Sequence, residues 1–272
     1  VAAGRLGQSR LEDWCWERGE RSLDDYCARQ LVGRRDVGGF LGVEHGALAS
    51  LTRARDAGKP GVVAFLSPHH RTRAAWVDRE VEALREAAPD ARVIPADLTA
   101  RRDALRDAEA ALAQAIVSNS SFTTRSLTDA GVPAGRILTV PLGAPAPLSR
   151  AQLPAERSGP VRFVFVGPVS VRKGAHHLLN AWRTVAGSDA ELHFYGKVLL
   201  PARVINEAAA APGGRRIVLH GSVPADSLPA VYQQATVLVL PTLCDGFGQV
   251  VADALANGLP VVTTTNAGAA NI

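Results

Sequence analysis

The hydrophobic positions of this chain fall into short runs that alternate between two periods. Residues 161–166, "VRFVFV", read as a strand, and the loop "GPVSVRKG" follows. "AHHLLNAWRTVAG" then places Leu178, Leu179, Trp182 and Val185 on one helical face, with Gly187 as the stop. "ELHFYG", "RRIVLHG", "TVLVLP" and "LPVVTTT" continue as strands, with helical patterns in "ARVINEAAAA" and "PADSLPAVYQQA" between them. The first half carries the same alternation. "GVVAFLS" (61–67), "AIVSNS" and "RILTVPLG" predict strands, and "RAAWVDREVEALREAA" and "RRDALRDAEAALAQ" predict helices. The second of those helices turns Leu105, Ala108, Ala111 and Leu112 inward, and Ser121 caps the helix "FTTRSLTDAG". Strands alternating with helices predict an α/β fold of doubly wound, Rossmann-like parallel sheets. Five prolines in 141–160 (Pro141, Pro145, Pro147, Pro154, Pro160) mark a boundary between two domains, 1–144 and 145–272.

"LCDGFGQVVADALANGLPVVTTT" (243–265) interrupts an apolar strand with an acid and two glycines before a small-residue helix. A glycine loop that opens a helix gathers backbone N–H groups at one point and suits a phosphate or sugar. An ordinary βα turn with a solvated acid fits the local pattern too. On the carboxyl edge of the same predicted sheet lie Gly167–Gly174, with Arg172 and Lys173, then Gly196–Lys197 and Gly221–Val223. Ligands bind open α/β sheets at that edge, in a crevice between two such domains. A diphosphate needs cations and helix-end donors, and a sugar or ribose needs carboxylates to accept its hydroxyl protons. Asp253, eight positions after Asp245 among Val250, Val251, Ala254 and Leu255, is a second carboxylate for that purpose. An exposed helix acid is the alternative.

Composition narrows the class. The 272 residues are 47% hydrophobic and 21% charged, without an apolar run near the ~20 residues of a membrane span. The opening segment has no secretory core, and three scattered cysteines (Cys15, Cys27, Cys244) suit a reducing cytoplasm. The net charge of +4 comes from dispersed arginines, which permits weak peripheral contact with anionic lipid and lacks the basic stripe of a nucleic-acid binder. No His, Cys or carboxylate set has metal-ligand spacing. His69 and His70 end the strand "FLSPHH", where adjacent side chains point apart and one of them serves as a hydrogen-bonding group; His45, His193 and His220 show no partner spacing, and His176–His177 reads as structural or solvated. With no methionine, even at position 1, the chain reads as a fragment of a longer protein.

"FVGPVSVRKGAHHLLNAW" and "VLVLPTLCDGFGQVVADALANGLPVVTTT", in that order, resemble the donor half of a family 4 (group 1) glycosyltransferase of the GT-B fold. The resemblance is strong over 161–272 and weaker over 37–144, where "VSNSSFTTRSLTDAGVPAGRILTVPLGA" is similar to the end of the family's acceptor domain. It implies that Asp245 contacts the donor sugar and that the Gly246–Phe247–Gly248 loop lends N–H groups of Phe247 and Gly248. It also implies that Asp253 holds the ribose, that Arg172 and Lys173 balance the diphosphate at the Gly167 loop, and that Val223 lies by the base. His69 or His70 would stand near the reacting carbon. Asp245 and Asp253 replace the family's usual glutamates, and Pro168 stands where many members have arginine. The family's acceptor-binding glycine loop and closing C-terminal segment are not found, which makes both domains incomplete.

The activity so implied is retaining, metal-independent hexosyl transfer from a nucleotide-diphosphate sugar, such as UDP- or GDP-hexose, to a glycan, lipid-linked or small-molecule acceptor. It needs no cofactor beyond that co-substrate. A GT-B-fold sugar-nucleotide epimerase and a catalytically degenerate binding module are the alternatives. A nicotinamide enzyme is disfavoured because no G-x-G-x-x-G follows a strand.

Overall fold

The computed structural model describes residues 2–87, 100–153, 159–184, 189–211 and 216–272. Pro154, Val185, Gly187, Arg215 and Ala88, all parts of predicted elements, lie outside the described residues. Two compact units are present: one of residues 1–66, 97–119 and 127–140, the other of 67–96, 120–126 and 141–272.

The first unit is built on a four-stranded parallel sheet in sequential order, β1 (Phe40–Val43), β2 (Gly61–Phe65), β3 (Ala115–Ser118) and β4 (Ile137–Thr139). Strand β2 alternates buried and half-buried residues, and Val63 and Phe65 join Leu51, Ile116 and Leu127 in the core. Helices α1 (Ala2–Leu31), α2 (Leu48–Asp56) and α5 (Ala100–Leu112) belong to this unit.

Helix α5 corrects the expected inward face. Arg106, Glu109 and Ala110 are buried, with Ala113 just beyond, whereas Ala111 is exposed and Leu105, Ala108 and Leu112 are half-buried. Polar partners turn the helix this way. Arg106 Nε lies 2.7 Å from Glu44 Oε2, and Glu109 accepts the His45 and Ala47 backbone N–H groups at 2.8 and 2.9 Å. Burying these charges is tolerable only because each is paired or hydrogen-bonded. Helix α1 has an inverted pattern that hid it from periodicity. Trp14, Trp16, Leu23 and Tyr26 are exposed, while Asp24 is buried and accepts the N–H groups of Ala49 and Ser50 at 2.7 and 2.9 Å. Helix α2 has no cap of its own, so Asp24 and Glu109 satisfy its N-terminus from other helices.

The second unit holds a five-stranded parallel sheet of β5 (Val161–Val166), β6 (Ala190–Tyr195), β7 (Ile217–Gly221), β8 (Val237–Leu240) and β9 (Val261–Thr263), in the order β7-β6-β5-β8-β9. The order reverses between β5 and β8, which leaves a crevice at their carboxyl ends. Right-handed crossovers on the two sides of a reversal put helices on opposite faces. Accordingly, α7 (Ala175–Trp182) packs on α8 (Ala202–Ala210), and α9 (Leu228–Gln234) on α10 (Gln249–Ala256). Strand β6 is buried along nearly its whole length, as a central strand covered on both faces should be. Phe165, Leu192, Phe194, Leu238 and Leu240 form the middle of that core.

Residues 67–96 and 120–126 complete the second unit. The predicted helix after His70 is α3 (His70–Arg73), a π-turn at Ala74–Asp78, and α4 (Arg79–Ala87). Ser120, not Ser121, caps α6 (Ser121–Asp129), because its Oγ accepts the Thr123 N–H at 3.0 Å. Among the described residues no helix is long and apolar enough to cross a membrane.

Candidate functional site

The two loops at the β5/β8 reversal meet through side chains of opposite sign. The loop after β5 carries Arg172 and Lys173, and the loop after β8 carries Asp245, Gly246, Phe247 and Gly248. Lys173 Nζ donates to Asp245 Oδ2 in a short ion pair, with each side chain only 12% exposed. Burial lowers the Lys173 ammonium pKa, opposed by the Asp245 charge and reinforced by the nearby Arg172 cation. The two loops are also joined along the backbone. Leu243 N donates to Arg172 O at 2.9 Å, Thr242 Oγ1 donates to the same oxygen at 3.0 Å, and Arg172 Nη1 donates to Cys244 O at 3.2 Å.

Glycine chemistry fixes this geometry at two points. Gly174 caps α7 with φ of 70°, and a Cβ there would sit on the Pro241 carbonyl oxygen. A side chain would therefore push the Arg172–Lys173 loop away from the end of β8. Gly248 opens α10 in the left-handed conformation with φ of 81°, a turn that brings the helix N-terminus to the Asp245 loop.

The remaining predicted residues are placed as follows. Asp253 is half-buried on α10, accepting from Gln249 Nε2 at 3.2 Å. Burial and the Asp253 charge raise the pKa of the buried Tyr232 phenol. Gly167 ends β5 with its N–H donating to Tyr195 O at 2.8 Å, and Val223 is half-buried after β7. Phe247 is buried in the core, so only its backbone is available to a ligand.

His69 and His70 do not point apart as expected: their rings lie 4.2 Å apart and tilted by 33°. The break between strand and helix allows this, since His69 is the cap of α3 and its Nδ1 accepts the Arg71 N–H at 3.2 Å. His69 is buried and His70 half-buried.

Sequence reasoning missed three groupings. Ser120 Oγ and Thr123 Oγ1 donate to the Gly246 carbonyl at 2.5 and 3.3 Å and hold the glycine-loop peptide, a contact across 126 residues that only a fold can make. His193 and His220 do have a partner, each other, at 2.8 Å, and His193 reaches Glu191 at 3.0 Å. A register shift between β6 and β7 brings His220 over Tyr195, with ring centroids 4.2 Å apart. Finally, Glu80 of α4 faces His176 and His177 at the start of α7, with Oε2 3.3 and 3.6 Å from their Nε2 atoms. The adjacent "SS" and "HH" pairs were the only local signals.

Residues 160–272 match the family described as glycosyl transferases group 1. A 2-deoxystreptamine glucosyltransferase of Streptomyces kanamyceticus is 34% identical over 124 residues, 43% of this chain and 32% of that protein. An uncharacterized glycosyltransferase of Methanocaldococcus jannaschii is 28% identical over 107 residues, 39% of this chain and 27% of that one. The chain thus spans about a third or less of the curated relatives it matches. Among solved structures, Anabaena HepE in complex with UDP and glucose superposes with a TM-score of 0.61 at 14% identity, covering 89% of this chain and 63% of its own. Sucrose-phosphate synthase of Thermosynechococcus elongatus gives 0.62 at 18% identity, covering 88% and 59%. Residues 160–272 are thus similar to the glycosyl transferases group 1 family, and the two parallel α/β sheets have the GT-B fold of the solved structures.

Proposed function

We propose that this chain is part of a retaining glycosyltransferase that moves a hexosyl group from a UDP- or GDP-hexose to a glycan, lipid-linked or small-molecule acceptor. The observation that carries the reading is the Lys173–Asp245 pair at the β5/β8 reversal. A nucleotide sugar presents an anionic diphosphate beside a ring of hydroxyls, and this site presents a cation beside a carboxylate. Arrival of the donor would exchange one ion pair for two better-matched contacts, Lys173 with phosphate and Asp245 with sugar hydroxyls.

Arg172, Lys173 and the N-terminus of α10 would meet the charge that develops on the leaving diphosphate. That electrostatic role gives the transfer a metal-independent path. Asp253 would hold the ribose hydroxyls, and Val223 would lie against the base. Ser120 and Thr123 would act as positioning residues, because they fix the Gly246 peptide whose neighbours face the sugar. His69 or His70 would hydrogen-bond near the reacting carbon. No cofactor enters this scheme beyond the donor itself. The name of the Streptomyces relative supports glucose as the sugar, and the UDP-bound HepE structure supports uridine as the base.

The test is a pair of affinities, for UDP-glucose and for UDP, measured by calorimetry on the chain and its Asp245→Ala variant. Losing a charged hydrogen bond to the sugar costs on the order of 1.5–3 kcal/mol, about ten- to hundredfold in Kd. The loss is expected for UDP-glucose alone, since Lys173 stays available to the diphosphate. Equal losses for both ligands, or none for either, would overturn the assignment. Release of UDP from UDP-glucose then separates a transferase from a module that only binds.

A further inference from the structure

Glu80, His176 and His177 belong to none of the groups used above. Two elements distant in sequence bring them together, α4 and the first turn of α7. The Glu80 Oε2 atom lies 3.3 Å from His176 Nε2 and 3.6 Å from His177 Nε2, and the three donor atoms all fall within 4.8 Å of one another. Zinc bonds of ~2.0–2.1 Å in a tetrahedron place neighbouring donors about 3.3–3.4 Å apart. The observed separations therefore require shifts of a few tenths of an ångström at most along the two Glu80 edges.

The chemistry of the donors points the same way. His176 is mostly buried, with a side chain 11% exposed, and its ring centroid lies 4.0 Å from that of His177, the rings tilted by 37°. Two charged imidazoliums at that spacing would repel, so a double ion pair with one carboxylate is a poor use of the cluster. Two neutral rings with Nε2 lone pairs and a carboxylate are instead the ligand set of an open zinc centre. His176 and His177 also line a cavity of about 400 Å³ with Arg183, Arg203 and Glu207, which gives a metal and its bound water an access route.

We propose that Glu80, His176 and His177 form a three-ligand site for Zn²⁺, with water in the remaining position. The site uses none of the donor-binding residues assigned above, and His176 follows Lys173 by three positions in the sequence.

The experiment is calorimetric titration of the metal-stripped chain with ZnCl₂, repeated with Co²⁺ followed by visible absorption. One zinc ion per chain is expected, with a Co²⁺ spectrum of four- or five-coordinate intensity and a thermal unfolding midpoint that rises with zinc. Glu80→Gln and His177→Ala each remove one ligand and should weaken zinc at least about tenfold. His177 is half-exposed, so its replacement leaves the core of the fold intact. Absence of saturable zinc binding overturns the site, as does either folded variant binding zinc as tightly as the parent. Neither result bears on UDP-glucose affinity, which tests the donor site by itself.

Discussion

The Lys173–Asp245 pair offers a measurable energy. Both side chains are about nine-tenths removed from water, and Arg172 adds a second cation nearby. In Asp245→Asn the shape is kept, but the ammonium is left buried next to another positive charge. Breaking a buried pair from one side costs about 3–5 kcal/mol, and the residual exposure here brings the expectation to about 2–4 kcal/mol. Lys173→Met strands the carboxylate instead, but the Arg172 field remains to balance it, so the expected loss is smaller, about 1–3 kcal/mol. With both replaced there is no stranded charge, and the double variant should lie within about 1.5 kcal/mol of the parent. The coupling energy from the cycle is then at least about 1.5 kcal/mol. Urea unfolding at pH 7 can follow Trp182, which is buried against Phe163 in the same unit. The penalty of Asp245→Asn should also shrink as pH rises. An unpaired Lys173 loses its proton more readily in the fold than in the unfolded chain, so the unfolded state binds more protons there and stability climbs with pH. Single losses that add within about 0.5 kcal/mol would refute the pairing, whatever their size.

Two further outcomes follow from the same geometry. Gly174→Ala should cost more than about 2 kcal/mol and weaken UDP binding, because the left-handed backbone and the Pro241 carbonyl both reject a Cβ; unchanged UDP affinity and urea midpoint would contradict it. Glu109 should make the chain lose stability as pH rises from about 4.5 to about 7. Burial pushes its pKa up to about 7 against two backbone N–H bonds, with Glu44 and Asp24 adding repulsion. The folded state then binds more protons than the unfolded chain in that window, for a loss of up to about 3 kcal/mol. Glu109→Gln should flatten that part of the stability–pH profile, and an unaltered profile would remove Glu109 as its source.

The sequence by itself determined the elements whose signal is local and apolar. Strands such as "VRFVFV" and "TVLVLP" are largely apolar runs, the first fully buried over its last three residues and the second with no exposed residue over Val237–Leu240, so their composition alone announces them. The glycine loop at 245–248 was equally legible, since Gly248 is required wherever a helix opens from a left-handed residue. Periodicity failed where polar groups occupy core positions. Asp24, Arg106 and Glu109 are buried because partners in other elements hold them, and no pattern within one helix records those partners. Only the tertiary structure decided that Lys173 meets Asp245, that Ser120 holds Gly246, and that Glu80 faces His176 and His177. Each contact spans 72 residues or more, and each depends on strand order and helix placement. Hydrophobic burial drives the strands together without direction, while these polar contacts need distances set to a few tenths of an ångström. The first can be read along the chain; the second exists only once the sheet has its order.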